Sequence, residues 1–149
     1  MPLSGARRGS DVQDLLREAR KRRVPETQKI SIVDDDEAVR EALKSLLKSV
    51  GFQVDAFASA EEFLSSGQLP CTACLILDVR MPGMSGVELH DRLSASHRGL
   101  PVVFISAHAD DEARERALEN GAVGFLQKPF SDEALLGAID AAVRLPRSP

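Results

Sequence analysis

Three apolar runs in this chain end in side chains that can act on phosphorus or bind a cation. Ile30-Ser31-Ile32-Val33 ends in Asp34-Asp35-Asp36, Cys74-Leu75-Ile76-Leu77 ends in Asp78, and Val102-Val103-Phe104-Ile105 ends in Ser106. A fourth run, Val123-Gly124-Phe125-Leu126, leads through Gln127 to Lys128-Pro129. A carboxylate is ionised at neutral pH, so Asp78 could attack phosphorus without a general base. Carboxylates packed together repel, and a hard cation with oxygen ligands relieves that repulsion. Mg²⁺ suits such a site because it accepts a few carboxylates and keeps waters. A cation on one side and the Lys128 ammonium on the other would neutralise phosphoryl oxygens in the transition state. The Ser106 hydroxyl could donate a hydrogen bond to the transferred group.

These groups meet only if all four runs are parallel strands of one sheet with their polar ends at one edge. The periodicity supports that. Strand-like and helix-like patterns alternate between about residues 29 and 145, which predicts an α/β fold with a parallel sheet covered on both faces. After the first run, Val39, Ala42, Leu43, Leu46, Leu47 and Val50 recur at helical spacing until Gly51. A short strand over Gln53 to Ala56 precedes Ser59-x-x-Glu62, a capping-box start for a helix through Phe63 and Leu64 that ends near Gly67. Ser85-x-x-Glu88 starts a helix over Val87 to Ala95, and a polar helix spans Asp110 to Asn120. The last helix starts at Ser131 and has an apolar face of Leu135, Ala138, Ile139, Ala142 and Val143.

The chain has 149 residues, enough for one domain that buries its apolar surface without disulfides. Its net charge of −4 is uneven. Residues 1–29 hold eight basic and four acidic groups, a balance of +4, so residues 30–149 carry −8. An acidic body argues against bulk nucleic-acid binding by the domain, because such affinity comes largely from basic groups neutralising phosphates. The apolar stretches are too short to cross a bilayer, and residues 1–8 lack the apolar core of a secretory signal. A cytoplasmic location without membrane insertion is expected.

Val33-Asp34-Asp35-Asp36-Glu37, Leu77-Asp78-Val79-Arg80-Met81-Pro82-Gly83-Met84-Ser85-Gly86, Ile105-Ser106-Ala107 and Lys128-Pro129-Phe130, in this order and at these separations, resemble a response-regulator receiver domain of the FixJ-type branch. The resemblance covers about residues 29–145. It implies a flavodoxin-like, doubly wound five-stranded sheet of order 2-1-3-4-5. It also implies phosphorylation at Asp78 by a histidine kinase or histidine phosphotransfer protein, with possible self-catalysed gain and loss of the group. Asp35, Asp78 and the Arg80 backbone carbonyl would bind Mg²⁺ directly and Asp34 through water, and the Lys128-Pro129 bond would be cis. Phe125 matches the family's switch aromatic, which with Ser106 would respond to the phosphoryl group. The family uses the face spanning residues 110–145 for dimers and downstream protein partners. FixJ-type receivers normally precede a helix-turn-helix DNA-binding domain, for which no room is seen before Pro149. A stand-alone receiver and a piece of a longer regulator both remain open, with contacts to protein rather than to nucleic acid expected.

Residues 1–28 read as a basic arm in which Ser10-x-x-Gln13 could cap a short helix with Val12, Leu15, Leu16 and Ala19 on one face. Such an arm could dock on the body, a second copy or a partner. Residues 146–149 form a tail. Asp36 and Glu37 read as helix-start acids. Cys71 and Cys74 cannot fill a zinc tetrahedron, and Cys74 reads as a small apolar core residue. His90 and His97 are expected at the surface. Two rival readings stay open. One is a haloacid-dehalogenase-like phosphatase with Asp34 as nucleophile, which Val33-Asp34-Asp35-Asp36 resembles although Ala38 departs from that family's pattern. The other is an adaptor with a receiver fold that works without phosphorylation.

Overall fold

The computed structural model describes residues 28–96, 99–108 and 111–144. Five parallel strands, β1 (Lys29–Val33), β2 (Gln53–Phe57), β3 (Cys74–Asp78), β4 (Val102–Ser106) and β5 (Gly124–Gln127), form one sheet of order β2-β1-β3-β4-β5. Between and after them run α1 (Glu37–Ser49), α2 (Ala60–Ser65), α3 (Gly86–Ser96), α4 (Asp111–Glu119) and α5 (Asp132–Arg144), with a 3-10 turn at Leu69–Cys71. This is the flavodoxin-like order. Every residue of β3 and β4 is buried, as strands covered on both faces must be.

Side-chain alternation sorts the core into two layers. On one face Ile30, Ile32, Cys74, Ile76, Val103 and Ile105 pack with Leu43 and Leu47 of α1 and Leu135, Ile139 and Ala142 of α5. On the other, Leu75, Leu77 and Phe104 pack with Phe63 of α2, Leu89 and Leu93 of α3 and Ala117 of α4. Cys74 is buried and Cys71 exposed, and neither is in a disulfide.

The helix ends follow their capping residues. The Asp36 carboxylate accepts from the Ala38 amide at 2.9 Å at the start of α1, and the chain leaves this helix through Gly51 at φ +102°. At α3 the reciprocal capping box is complete: Ser85 N donates to Glu88 Oε1 at 3.0 Å, and Glu88 N donates to Ser85 Oγ at 3.1 Å. Ser59 caps α2 through the Glu62 amide at 3.0 Å, and the Ala134 amide donates to Ser131 Oγ at 3.0 Å at the start of α5.

His90 corrects an expectation. It is buried rather than at the surface, because it lies beside Leu89 on the stripe with which α3 meets the sheet. Its ring meets Phe104 edge-on with centroids 5.2 Å apart, and its Nδ1 has no hydrogen-bond partner. On α4 the apolar stripe is thin: Ala117 is buried and Leu118 exposed, while Arg116 pairs with Asp91 of α3 and Asn120 bonds the same carboxylate. Among the described residues no helix is long and apolar enough to cross a membrane. The arm helix over Ser10 to Ala19, His97, Asp110 and residues 146–149 lie outside the described residues.

Candidate functional site

The pairing of β1 with β3 sets Val33 beside Leu77, so the next residues, Asp34 and Asp78, leave the sheet side by side. Asp78 is in turn registered with Ile105, one residue before Ser106, and Ser106 is registered with Gln127, one before Lys128. Parallel topology thus gathers residues spread over more than ninety positions, from Asp34 to Lys128, at one carboxyl edge.

Carboxylate oxygens of Asp34, Asp35 and Asp78 lie within 4.8 Å of one another. Asp34 is wholly buried and Asp35 exposed. Asp34 Oδ1 accepts from the Asp36 amide at 2.8 Å, and Asp34 Oδ2 accepts from Lys128 Nζ at 2.9 Å. The same ammonium stands 3.7 Å from Asp78 Oδ1. Lys128 N donates to Ser106 O at 2.7 Å, and the Lys128-Pro129 bond is cis.

Two of the three clustered carboxylates, Asp34 and Asp78, therefore face the Lys128 ammonium. Burial pushes the Asp78 carboxyl up to about 7, and the negative charge of Asp34 adds to the rise, while Lys128 works against it. A divalent cation among these oxygens would reverse that balance, and an all-oxygen carboxylate donor set fits Mg²⁺. The residues present fit such an ion.

Ser106 reaches the same edge, but its hydroxyl is engaged within its own loop. It donates to His108 O at 2.9 Å and accepts from His108 N at 3.2 Å. Phe125 is half-buried and packs against Phe104 with ring centroids 6.0 Å apart. Arg80 is exposed just past β3.

Two neighbours of the pocket were given no role in the sequence reading. Arg40, on α1, donates from Nη1 to the backbone carbonyl of Asp34 at 2.8 Å, a contact that depends on how α1 folds back over β1. Gly86 begins α3 so close to β3 that a Cβ there would lie 2.0 Å from the Asp78 carbonyl oxygen. Its amide donates to Val79 O at 2.9 Å. Only glycine lets the helix start there. Its place one residue after the capping serine was the available signal.

A family profile described as response regulator receiver domain matches residues 30–140. Response regulator protein TmoT of Ectopseudomonas mendocina is 50% identical over 117 residues, which are 78% of this chain and 53% of that protein. Transcriptional regulatory protein FixJ of Azorhizobium caulinodans is 40% identical over 120 residues, 80% of this chain and 57% of that one. The chain spans about half the length of these curated relatives. Among solved structures, the crystal structure of FixJ-N superposes with a TM-score of 0.74 at 36% identity, covering 83% of this chain and 99% of that one. Response regulator StyR gives 0.72 at 45% identity over 80% of this chain and 60% of that one.

Proposed function

The chain belongs to the family of response regulator receiver domains, and we propose that it works as a phosphorylation-activated switch, with Asp78 taking a phosphoryl group from a histidine kinase or histidine phosphotransfer protein. The observation that carries this reading is the cluster of three carboxylates within 4.8 Å, reached by the Lys128 ammonium.

In this reading an Asp78 oxygen forms a bond to phosphorus as the phosphorus–nitrogen bond of the donor's phosphohistidine breaks, and the electron pair stays on the imidazole. Asp34, Asp35, Asp78 and the Arg80 backbone carbonyl would hold Mg²⁺, which when bound supplies charge neutralisation for Asp78 and the phosphoryl oxygens. Lys128 stabilises charge from the other side. Asp34 orients Lys128 through its ion pair. Attack by water on the acyl phosphate would later return free Asp78.

The phosphorylated carboxyl gains charge and acceptor oxygens. To donate to one of them, the Ser106 hydroxyl must release His108 O, so the loop after β4 changes with it. A hydrogen bond to a charged group is worth on the order of 1.5–3 kcal/mol, comparable with the few kcal/mol that separate two conformers. Phe125, packed on Phe104, would turn inward as that loop moves. The face spanning residues 110–145 then meets a protein partner or a second copy, with the arm of residues 1–28 as a second docking element. The domain, residues 29–145, acts in the cytoplasm and makes no direct contact with nucleic acid.

Incubation with Mg²⁺ and acetyl phosphate, followed by mass-spectrometric mapping of the modified aspartate, tests the reading. Label at Asp78 is expected, and Asp78→Ala should abolish it. Label at Asp34 would instead indicate phosphatase-like chemistry, against which stands the complete burial of that carboxylate. No label would leave a passive adaptor.

A further inference from the structure

Glu61 lies in the first turn of α2, on the sheet face that α2 shares with α3, and belongs to none of the motifs read above. Its side chain reaches the loop that joins Asp78 to α3. Glu61 Oε2 accepts from the Met84 amide at 3.0 Å, a contact between residues 23 apart in sequence. The same oxygen occupies the space above Gly83: a Cβ added there would lie 2.9 Å from it, and Gly83 has φ +76°. The loop's outer turn is thus shaped around a carboxylate from another element. Its base is held separately, by Gly86 N donating to Val79 O and by the Ser85–Glu88 capping box.

We propose that Glu61 is a positioning residue for the phosphoacceptor centre: by holding the Met84 amide above Gly83 it fixes the loop that carries the Arg80 carbonyl, and so sets the affinity of the centre for Mg²⁺. This rests on the reading of Asp78 and its neighbours as that centre. Glu61 acts through the backbone and touches none of the reacting atoms. A lowered carboxyl pKa accompanies the contact, caused first by the Met84 amide, with Glu88 opposing and Arg92 assisting. The hydrogen bond is what the proposal needs. A glutamine carbonyl can accept from the same amide, whereas alanine cannot.

The test is calorimetric titration of the full chain with Mg²⁺, together with amide hydrogen exchange at Met84, for wild type, Glu61→Ala and Glu61→Gln. Glu61→Ala should weaken Mg²⁺ binding by about threefold to tenfold and speed exchange at Met84, as expected for one lost charge-assisted hydrogen bond at an exposed position. Glu61→Gln should remain within about twofold of wild type in both. Equal weakening in the alanine and glutamine variants would overturn the proposal, since charge alone would then account for it. Unchanged affinity in Glu61→Ala would overturn it too. A wild-type chain that takes no label at Asp78 and binds no Mg²⁺ would overturn the phosphoacceptor reading and this proposal with it. A wild-type chain that does both while Glu61→Ala matches it would overturn this proposal alone.

Discussion

Two polar clusters sit on the same sheet, and they are built on opposite principles. Toward the amino ends of the strands, Ser31 Oγ and Thr72 Oγ1 lie 2.7 Å apart in the core, and Thr72 Oγ1 also donates to Gln68 O at 2.8 Å. Beside them Lys29 pairs with Asp55 at 2.6 Å and bonds Gln68. Donors there meet acceptors, and one cation meets one anion. At the carboxyl ends three carboxylates cluster, the Lys128 ammonium pairs with two of them, Asp34 and Asp78, and Asp78 is still pushed up to about 7. A balanced cluster holds a fold together, whereas an overloaded one needs a ligand. The contrast marks the carboxyl edge as the place where a bound cation would relieve repulsion that the fold leaves in place.

The contrast would break most clearly at Lys128. Removing that ammonium in Lys128→Met leaves the buried Asp34 carboxylate uncompensated, and chemical denaturation should show a loss of about 3–5 kcal/mol. Labelling of Asp78 by acetyl phosphate should also slow by on the order of a hundredfold.

Asp78 tests the same idea in the other direction. Its folded pKa lies above the ordinary value of 3.8, so the folded state holds the proton more tightly than the unfolded chain. Stability from this group is present below about pH 3.8 and is lost as pH rises to about 7. Without Mg²⁺, Asp78→Asn should therefore be more stable than wild type at pH 8, by on the order of 1–3 kcal/mol, and the difference should shrink toward pH 4. A destabilised Asp78→Asn would show that the edge is not overloaded.

In the balanced cluster the expected effects are smaller and purely structural. Ser31→Ala removes one partner of a buried hydroxyl pair and should cost about 1 kcal/mol while leaving the labelling rate unchanged. A fall in labelling would mean that the two clusters are coupled.

His90 gives the smallest effect. Burial lowers its pKa, so the unfolded chain binds the proton more readily, and stability is full above the unfolded value of 6.5 and declines as pH falls below it. His90→Phe should flatten that part of the stability profile, measured by thermal unfolding between pH 5 and 7.5.

Much of the fold was legible because the strands sit where the periodicity changes, and helix starts such as Ser59 and Ser85 carry their capping partners three residues on. The pocket was legible for a related reason. Asp34, Asp78, Ser106 and Lys128 each follow the end of an apolar run, and strand order does the rest. What stayed hidden depends on contacts between elements. Nothing local ties Glu61 to Met84 or Arg40 to the Asp34 carbonyl, since each pair forms only after the helices fold back on the sheet. His90 was misjudged because residue type suggested solvent while its place on α3 required burial.

The most direct test of the overloaded edge is a carbon-13 NMR titration of the Asp78 side-chain carboxyl with and without Mg²⁺. A midpoint near 7 that falls by at least about two units when Mg²⁺ is added would establish a site held in readiness for a cation. An ordinary carboxylate midpoint that Mg²⁺ leaves unchanged would contradict the account.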